Sequence, residues 1–222
     1  MRFDLTPKEA IALQQELREQ IRLVPLEKSP KLIGGCDVSM NMFATEGFAG
    51  FVVLDKTLRV VDHAVAKDRI PFPYIPGLLS FREIPMLVKA WKRLKTKPDV
   101  LVVDGVGMAH PRRMGIATHL GLVLGIPTIG CAKSVLTGVY TEPGDEPGSV
   151  SYMSDPKTKE IIGAALRTKR GVKPVYVSAG HLVTLKESIE IVKGGVIKHR
   201  LPEYTRQAHL AVNEYRVRAK GA

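Results

Sequence analysis

The chain has 222 residues, carries 33 Lys+Arg against 22 Asp+Glu for a formal net charge of +11, and is 45% hydrophobic. Length and composition exclude a wholly disordered or collagen-like chain and fit one folded domain over residues 1–222. With Cys36 and Cys131 as the two cysteines, a disulfide scaffold and a zinc ribbon are excluded too.

The amino terminus is charged and lacks an apolar signal core, and no run approaches the ~18 apolar residues of a spanning helix, so a cytoplasmic protein with no membrane role is expected. Residues 6–23 predict a first helix. Thr6 is placed to cap it, Pro7 to open it and Glu9 to complete a capping box, while Ile11, Leu13, Leu17 and Ile21 offer an apolar stripe expected to pack on a sheet. Three short strands follow at 32–38, 47–54 and 58–65, separated by turn signals, and predict an antiparallel meander. After a Pro-rich stretch at 71–77 comes helical material through Leu94, expected to break near Pro85. Val100 to Val103 form a strongly apolar strand ending at Asp104, then a helix is predicted at 118–124 and a buried strand at 127–132. Residues 141–160 read as a surface loop leading into a hairpin of 161–167 and 174–178, and helices at 186–193 and 204–220 close the chain. A meander followed by helices alternating with buried strands predicts an α/β fold with a single central mixed sheet flanked by helices.

The positive charge is uneven. Residues 165–222 hold 12 Lys+Arg against 4 Glu, or +8 of the +11, which suits a polyanion because each neutralised phosphate releases counterions. The competing reading is a solvated, solubility-promoting surface.

Three acids stand out. Asp37 follows a strand in Gly35-Cys36-Asp37-Val38-Ser39, and Asp104 ends the most apolar strand, where Gly105 and Gly107 let the backbone turn; open α/β sheets place their sites at such strand ends. Glu83 sits in otherwise apolar helical sequence. Gathered together, the three carboxylates would suit Mg²⁺, a hard cation that prefers oxygen ligands. Taken singly, Glu83 could complete a capping box with Ser80, and Asp37 and Asp104 could be turn or cap residues. In the segment from Asp104 to Arg113, His110 could shuttle a proton or bind phosphate, and Arg112 or Arg113 could hold a strand backbone. Pro73-Tyr74-Ile75-Pro76 has the rigid φ angles and apolar side chains of a wedge that enters a base stack, or else a loop that packs Tyr74 into the protein's own core. Met40 and Met42 read as packing residues; His63, His119, His181 and His199 read as structural or solvent-facing.

Taken together, these segments resemble the endonuclease V family. The resemblance is carried by Gly35 to Ser39, Phe72 to Glu83, Lys97-Pro98-Asp99, Asp104 to His119, Ile126 to Gly130 with Ala132-Lys133-Ser134, Ser178 to His181, and Thr205-Arg206 with His209, in family order across nearly the whole chain. It implies a ribonuclease H-like fold and cleavage, dependent on Mg²⁺ or its substitute Mn²⁺, at the second phosphodiester bond 3′ of a deaminated adenine in DNA, leaving 3′-hydroxyl and 5′-phosphate ends. By matching motif, Asp37, Glu83 and Asp104 take metal-ligand positions, Lys133 a position beside the scissile phosphate, and His209 one on the last helix near the metal. Tyr74, Ile75 and Pro76 form the wedge, and His110, Arg112 and Arg113 belong to a backbone-contacting segment. The pocket for the everted base is implied to be Gly77, Leu79, Gly105, Gly107, Gly115, Ile116, Gly130 and Leu136, where backbone groups come close and a donor can serve the O6 that adenine lacks. A DNA-repair nuclease acting as a monomer is the expectation; inosine in RNA as substrate, and a non-catalytic inosine reader, are the alternatives. Tyr204 stands where the family pattern has a second Pro, which bears on how the last helix starts and so on the aim of His209.

Overall fold

The computed structural model describes residues 3–41 and 44–220, so Met42 lies outside the described residues. Its centre is an eight-stranded mixed sheet in the order β3-β2-β1-β4-β5-β8-β7-β6. The strands are β1 (Ile33–Ser39), β2 (Glu46–Leu54), β3 (Val60–Arg69), β4 (Val100–Val103), β5 (Thr128–Ala132), β6 (Val150–Ser154), β7 (Ile161–Leu166) and β8 (Val175–His181). Strands β1, β2 and β3 form the expected antiparallel meander, β1, β4 and β5 run parallel, and β8, β7 and β6 extend the sheet antiparallel. The helices are α1 (Pro7–Arg18), α2 (Leu79–Arg93), α3 (Ile116–Leu124), α4 (Leu185–Gly194) and α5 (Glu203–Lys220).

Strand alternation splits the core into two layers. Val100 and Val102 of β4 join Val52, Ile189, Val192 and Ala208 on the face covered by α4 and α5. Leu101 and Val103 point the other way and join Phe51, Ile84, Leu87 and Leu120 beneath α2 and α3. Such two-sided burial is what a continuous run of β-branched and aliphatic residues prescribes for central parallel strands.

The structure corrects several expectations. Helix α2 runs unbroken through Pro85. An internal proline costs about 3 kcal/mol, but Phe81, Ile84, Met86, Leu87 and Ala90 are all fully buried along this helix, and each large apolar side chain returns roughly 1.5–3 kcal/mol. Helix α1 has the expected capping box between Thr6 and Glu9 but ends at Arg18. Its buried stripe is Ala10, Gln14 and Leu17, with Ile11 exposed, and it packs on Phe72, Leu78 and Phe81 rather than on the sheet. Strand β3 runs to Arg69, pairing along all of β2. The stretch read as surface loop contains β6, which pairs with β7 at the sheet edge.

Candidate functional site

The register of the parallel strands brings two of the acids together. Ile33 to Cys36 on β1 pair in sequence with Val100 to Val103 on β4, so Asp37 and Asp104 occupy the next step of adjacent strands. The third acid arrives from α2, where Glu83 lies close enough to feel the charges of both Asp37 and Asp104. The capping-box reading of Glu83 fails: α2 is preceded by Leu78 with no side-chain cap, and Ser80 lies inside the helix with its hydroxyl 2.9 Å from His119 Nδ1.

Close approach of α5 supplies the fourth group. A Cβ on Gly35 would stand 1.9 Å from the carbonyl oxygen of Tyr204, and one on Gly50 would stand 2.7 Å from Val212. Bare backbone at both places lets α5 settle against β1 and β2, and His209 Nδ1 comes to 3.0 Å from Asp37 Oδ2. Tyr204 is buried, with its ring against Gly195, and the hydrogen bond to Asp37 shows His209 aimed at the acids despite the absent proline. His209 is itself braced. Ser39 Oγ donates to Asn213 Oδ1 at 3.3 Å, which turns the amide so that its Nδ2 meets His209 Nε2 at 2.8 Å and leaves Nδ1 to donate to Asp37. The i,i+4 spacing of His209 and Asn213 on one helix was the sequence signal for this brace.

Lys133, just past β5, places its ammonium on Asp104 Oδ2. Arg200, from the segment after α4, donates to the carbonyl oxygens of Lys133 (2.7 Å), Lys173 (2.8 Å) and Pro174 (2.7 Å), so part of the carboxyl-terminal positive charge gathers beside Lys133.

Three carboxylates, only partly offset by Lys133 and His209, leave the cluster rich in negative charge. Burial, reinforced by Asp37 and Asp104, pushes Glu83 from the ordinary 4.5 up to about 8. Asp37 is raised by burial and by Asp104, against the opposing hydrogen bond from His209. Burial and the same three carboxylates hold the Cys36 thiol well above its usual range. Hard oxygen donors that repel one another in a partly buried site suit a divalent cation. Among the described residues no three of His, Cys, Asp and Glu already converge as a finished metal cage. One oxygen of Asp37 is on His209 and one of Asp104 on Lys133, so ligation would use the remaining oxygens or displace the ammonium.

Beside the acids opens a cavity of about 350 Å³, inside the ~300–1,000 Å³ range of small-molecule sites. Glu83, Asp104 and Lys133 line it together with Tyr74, Ile75, Pro76, Gly77 and Leu79, and Gly105, Gly115, Ile116 and Leu136 complete the expected set that reaches it. Gly107 and Gly130 do not line it. A Cβ on Gly107 would meet Ala179 O at 2.2 Å and one on Gly130 would meet Gly107 N at 2.4 Å, so both serve the close stacking of backbone behind the cavity. Ser178 Oγ fixes that stack by accepting from Gly107 N at 2.8 Å. Tyr74 is 58% exposed at the cavity's edge and does not pack into the core, whereas Phe72 does.

The loop bearing Tyr74 is fastened at both ends by residues the sequence left unassigned or assigned otherwise. Buried Arg82 donates from Nη1 to Phe72 O at 2.9 Å. At the other end, His110 Nε2 (3.1 Å) and Arg112 Nη2 (2.8 Å) bond Gly77 O, so both groups expected on a nucleic-acid backbone are committed to protein carbonyl. Burial and the neighbouring Arg112 lower His110 to about 4, which keeps the ring neutral and unsuited to holding phosphate by charge. Arg113, also expected at a strand backbone, has its partners within the protein. It is buried at φ 59, bonds His110 O at 3.1 Å and pairs with Asp155 (2.8 Å) and Glu160 (2.9 Å), tying this segment to the turn between β6 and β7.

A family model described as Endonuclease V matches residues 15–210. Endonuclease V of Myxococcus xanthus is 49% identical over 225 residues, covering 99% of this chain and 93% of the relative. Among solved structures, Endonuclease V of Streptomyces avermitilis superposes with a TM-score of 0.91 at 41% identity, covering 97% of this chain and 95% of that one. Endonuclease V of Ciona intestinalis, solved with a 23-mer DNA containing an inosine followed by a ribo-adenosine, gives 0.81 at 30% identity, covering 95% and 98%.

Proposed function

We propose, on the premise that this chain belongs to the Endonuclease V family and is an endonuclease, that it hydrolyses the second phosphodiester bond 3′ of deoxyinosine in DNA, using Mg²⁺ and leaving 3′-hydroxyl and 5′-phosphate ends. The observation that carries this reading is the placing of Asp37 and Asp104 at one register step, with Glu83 beside them at the edge of a cavity of about 350 Å³.

Asp37, Glu83 and Asp104 would hold the ion, which supplies Lewis acidity at the phosphate and makes water a better nucleophile. The rest is done by the chain. Lys133 brings a cation to the acid cluster, where it offsets charge growing on the phosphoryl oxygens. His209, braced by Asn213, fixes the rotamer of Asp37 and holds a proton at Nδ1. The cavity takes the everted base, its glycine walls offering backbone donors and acceptors, while Tyr74 at its edge fills the gap left in the stack.

Inosine in RNA is the second reading, prompted by the ribo-adenosine that follows inosine in the Ciona complex. A cytoplasmic monomer is proposed for either substrate. The test is cleavage of end-labelled duplexes bearing a single inosine, with matched DNA and RNA strands, mapped to the nucleotide in Mg²⁺. Asp104→Ala is expected to end nicking while inosine-selective binding persists in Ca²⁺; undiminished nicking refutes the assignment.

A further inference from the structure

Gln14 is a fully buried polar side chain in the middle of the stripe that α1 turns inward. A buried amide is tolerated only when its donors and acceptor are satisfied, and those of Gln14 are satisfied by both walls of the cavity. Its Nε2 donates to Gly77 O at 3.0 Å, 63 residues away in sequence, and to Met114 O at 3.3 Å, 100 residues away. Its Oε1 accepts from Arg112 Nε at 2.6 Å. Arg112 can only donate there, so the amide can take no other orientation. Gly77 and Met114 both line the cavity, whereas Gln14 does not; it holds the two walls from behind.

Around the Gly77 carbonyl the bonding is over-determined. Besides Gln14 it meets Arg112 Nη2 and His110 Nε2. His110 Nδ1 accepts the Arg112 backbone N–H at 3.1 Å, which puts the ring hydrogen on Nε2, facing Gly77. Three donors thus share an oxygen with two lone pairs. Gly77 itself, at φ +79, has no side chain to brace it, and a Cβ there would stand 2.8 Å from Arg112 Nη2. The Gly77 carbonyl of that wall is therefore held by hydrogen bonds from three side chains.

We propose that Gln14 is a positioning residue for base selection: a strut from α1 that sets the separation of the Gly77 and Met114 walls and so the tolerance of the cavity for bases other than hypoxanthine. The proposal rests on the functional reading above. Recognition through backbone groups requires those groups to be held within about 0.5 Å, and Gly77 has no side chain of its own to supply that rigidity.

The test compares wild type with Gln14→Met, which keeps length, burial and helix propensity but removes every hydrogen bond, and with Gln14→Glu, which keeps the acceptor for Arg112 and removes the donors to both walls. Each is assayed on duplexes bearing inosine, xanthosine or an undamaged adenine. Loss of one to two buried hydrogen bonds is worth about tenfold. We expect both variants to lose about that factor in kcat/KM selectivity for inosine over xanthosine, with KM rising by more than kcat falls. A purely structural role would lower the melting temperature and leave the selectivity ratio of the folded enzyme at its wild-type value, which overturns the proposal. Should one variant not fold, the other carries the test, and failure of both to fold also overturns it, because Gln14 is then a fold-stabilising residue. If wild type shows no preference for inosine over adenine, the functional reading itself fails; a selective wild type with equally selective variants sinks this inference alone.

Discussion

Glu83→Gln is expected to stabilise the metal-free protein while ending its activity, and the size of the effect follows from the charge environment. Glu83 ionises near 4.5 in an unfolded chain and near 8 in the fold, chiefly because burial and then Asp37 and Asp104 oppose its charge. Between those values the folded state binds more protons than the unfolded one, so stability falls as pH rises, by about 1.4 kcal/mol for each pH unit. At pH 7 the cost amounts to roughly 3 kcal/mol, and at pH 5 to less than about 1 kcal/mol. Glutamine matches the protonated acid in shape and carries no such cost. For a chain of this length roughly 3 kcal/mol corresponds to a rise of about 6–12 °C in Tm. Thermal unfolding in EDTA should therefore show the variant well above wild type at pH 7 and nearly level with it at pH 5. Mg²⁺ should then raise wild type more than the variant, since binding to the folded state alone is stabilising. A variant that melts at or below wild type at pH 7, or whose advantage is the same at pH 5, would refute the reasoning.

Three further outcomes are expected. Arg113→Met should cost about 1.5–3 kcal/mol in urea unfolding, because it removes the buried guanidinium that bonds Asp155 and Glu160, while the folded fraction keeps its kcat/KM; a normal stability with weakened DNA binding would favour the strand-contact role. Tyr74→Ala should leave Tm within about 1 °C of wild type, given how exposed the ring is, yet raise KM for the inosine duplex about tenfold through lost stacking. Asn213→Ala should lower kcat by roughly tenfold with little change in KM, because His209 loses the bond that orients it on Asp37; equal loss from Ser39→Ala would extend the brace to its outer member.

The parts of this molecule that were legible in its sequence are those where local pattern and long-range packing agree. Val100 to Val103 can only be a doubly buried strand, and an acid directly after it has to sit at the end of the sheet. The meander, the buried strand β5 and the hairpin of β7 and β8 follow from turn signals between apolar runs. Local pattern misleads where tertiary contacts outvote it. Pro85 breaks a helix in isolation, but the apolar face around it is buried deeply enough to carry the helix through. Strand β6 alternates exposed Val150 and Tyr152 with buried Met153 amid prolines and glycines, and it exists because β7 offers it a partner edge. The first helix shows the same effect in its register: of the expected stripe Leu17 is buried and Leu13 packs beside Leu78 and Phe81, while Ile11 is left exposed and Ala10 and Gln14 turn inward instead.

Charged residues near the site divide along the same line. Asp37, Glu83 and Asp104 were recognisable because carboxylates in apolar surroundings demand a reason. His110, Arg112 and Arg113 looked equally functional, being a histidine and two arginines beside a glycine turn, and the structure gives them protein partners at Gly77, Gln14, Asp155 and Glu160. Their position along the chain could not reveal this, because each partner lies at least 33 residues away. The consequence is a division of labour. Arg112, in the segment after Asp104, holds the Gly77 carbonyl at the cavity wall, whereas the cation paired with Asp104, Lys133, comes from the end of another strand and has its own carbonyl held by Arg200. An arrangement of this kind sets positive charge directly against the carboxylates. The Arg112 guanidinium meanwhile holds the Gly77 wall of the cavity from the other side.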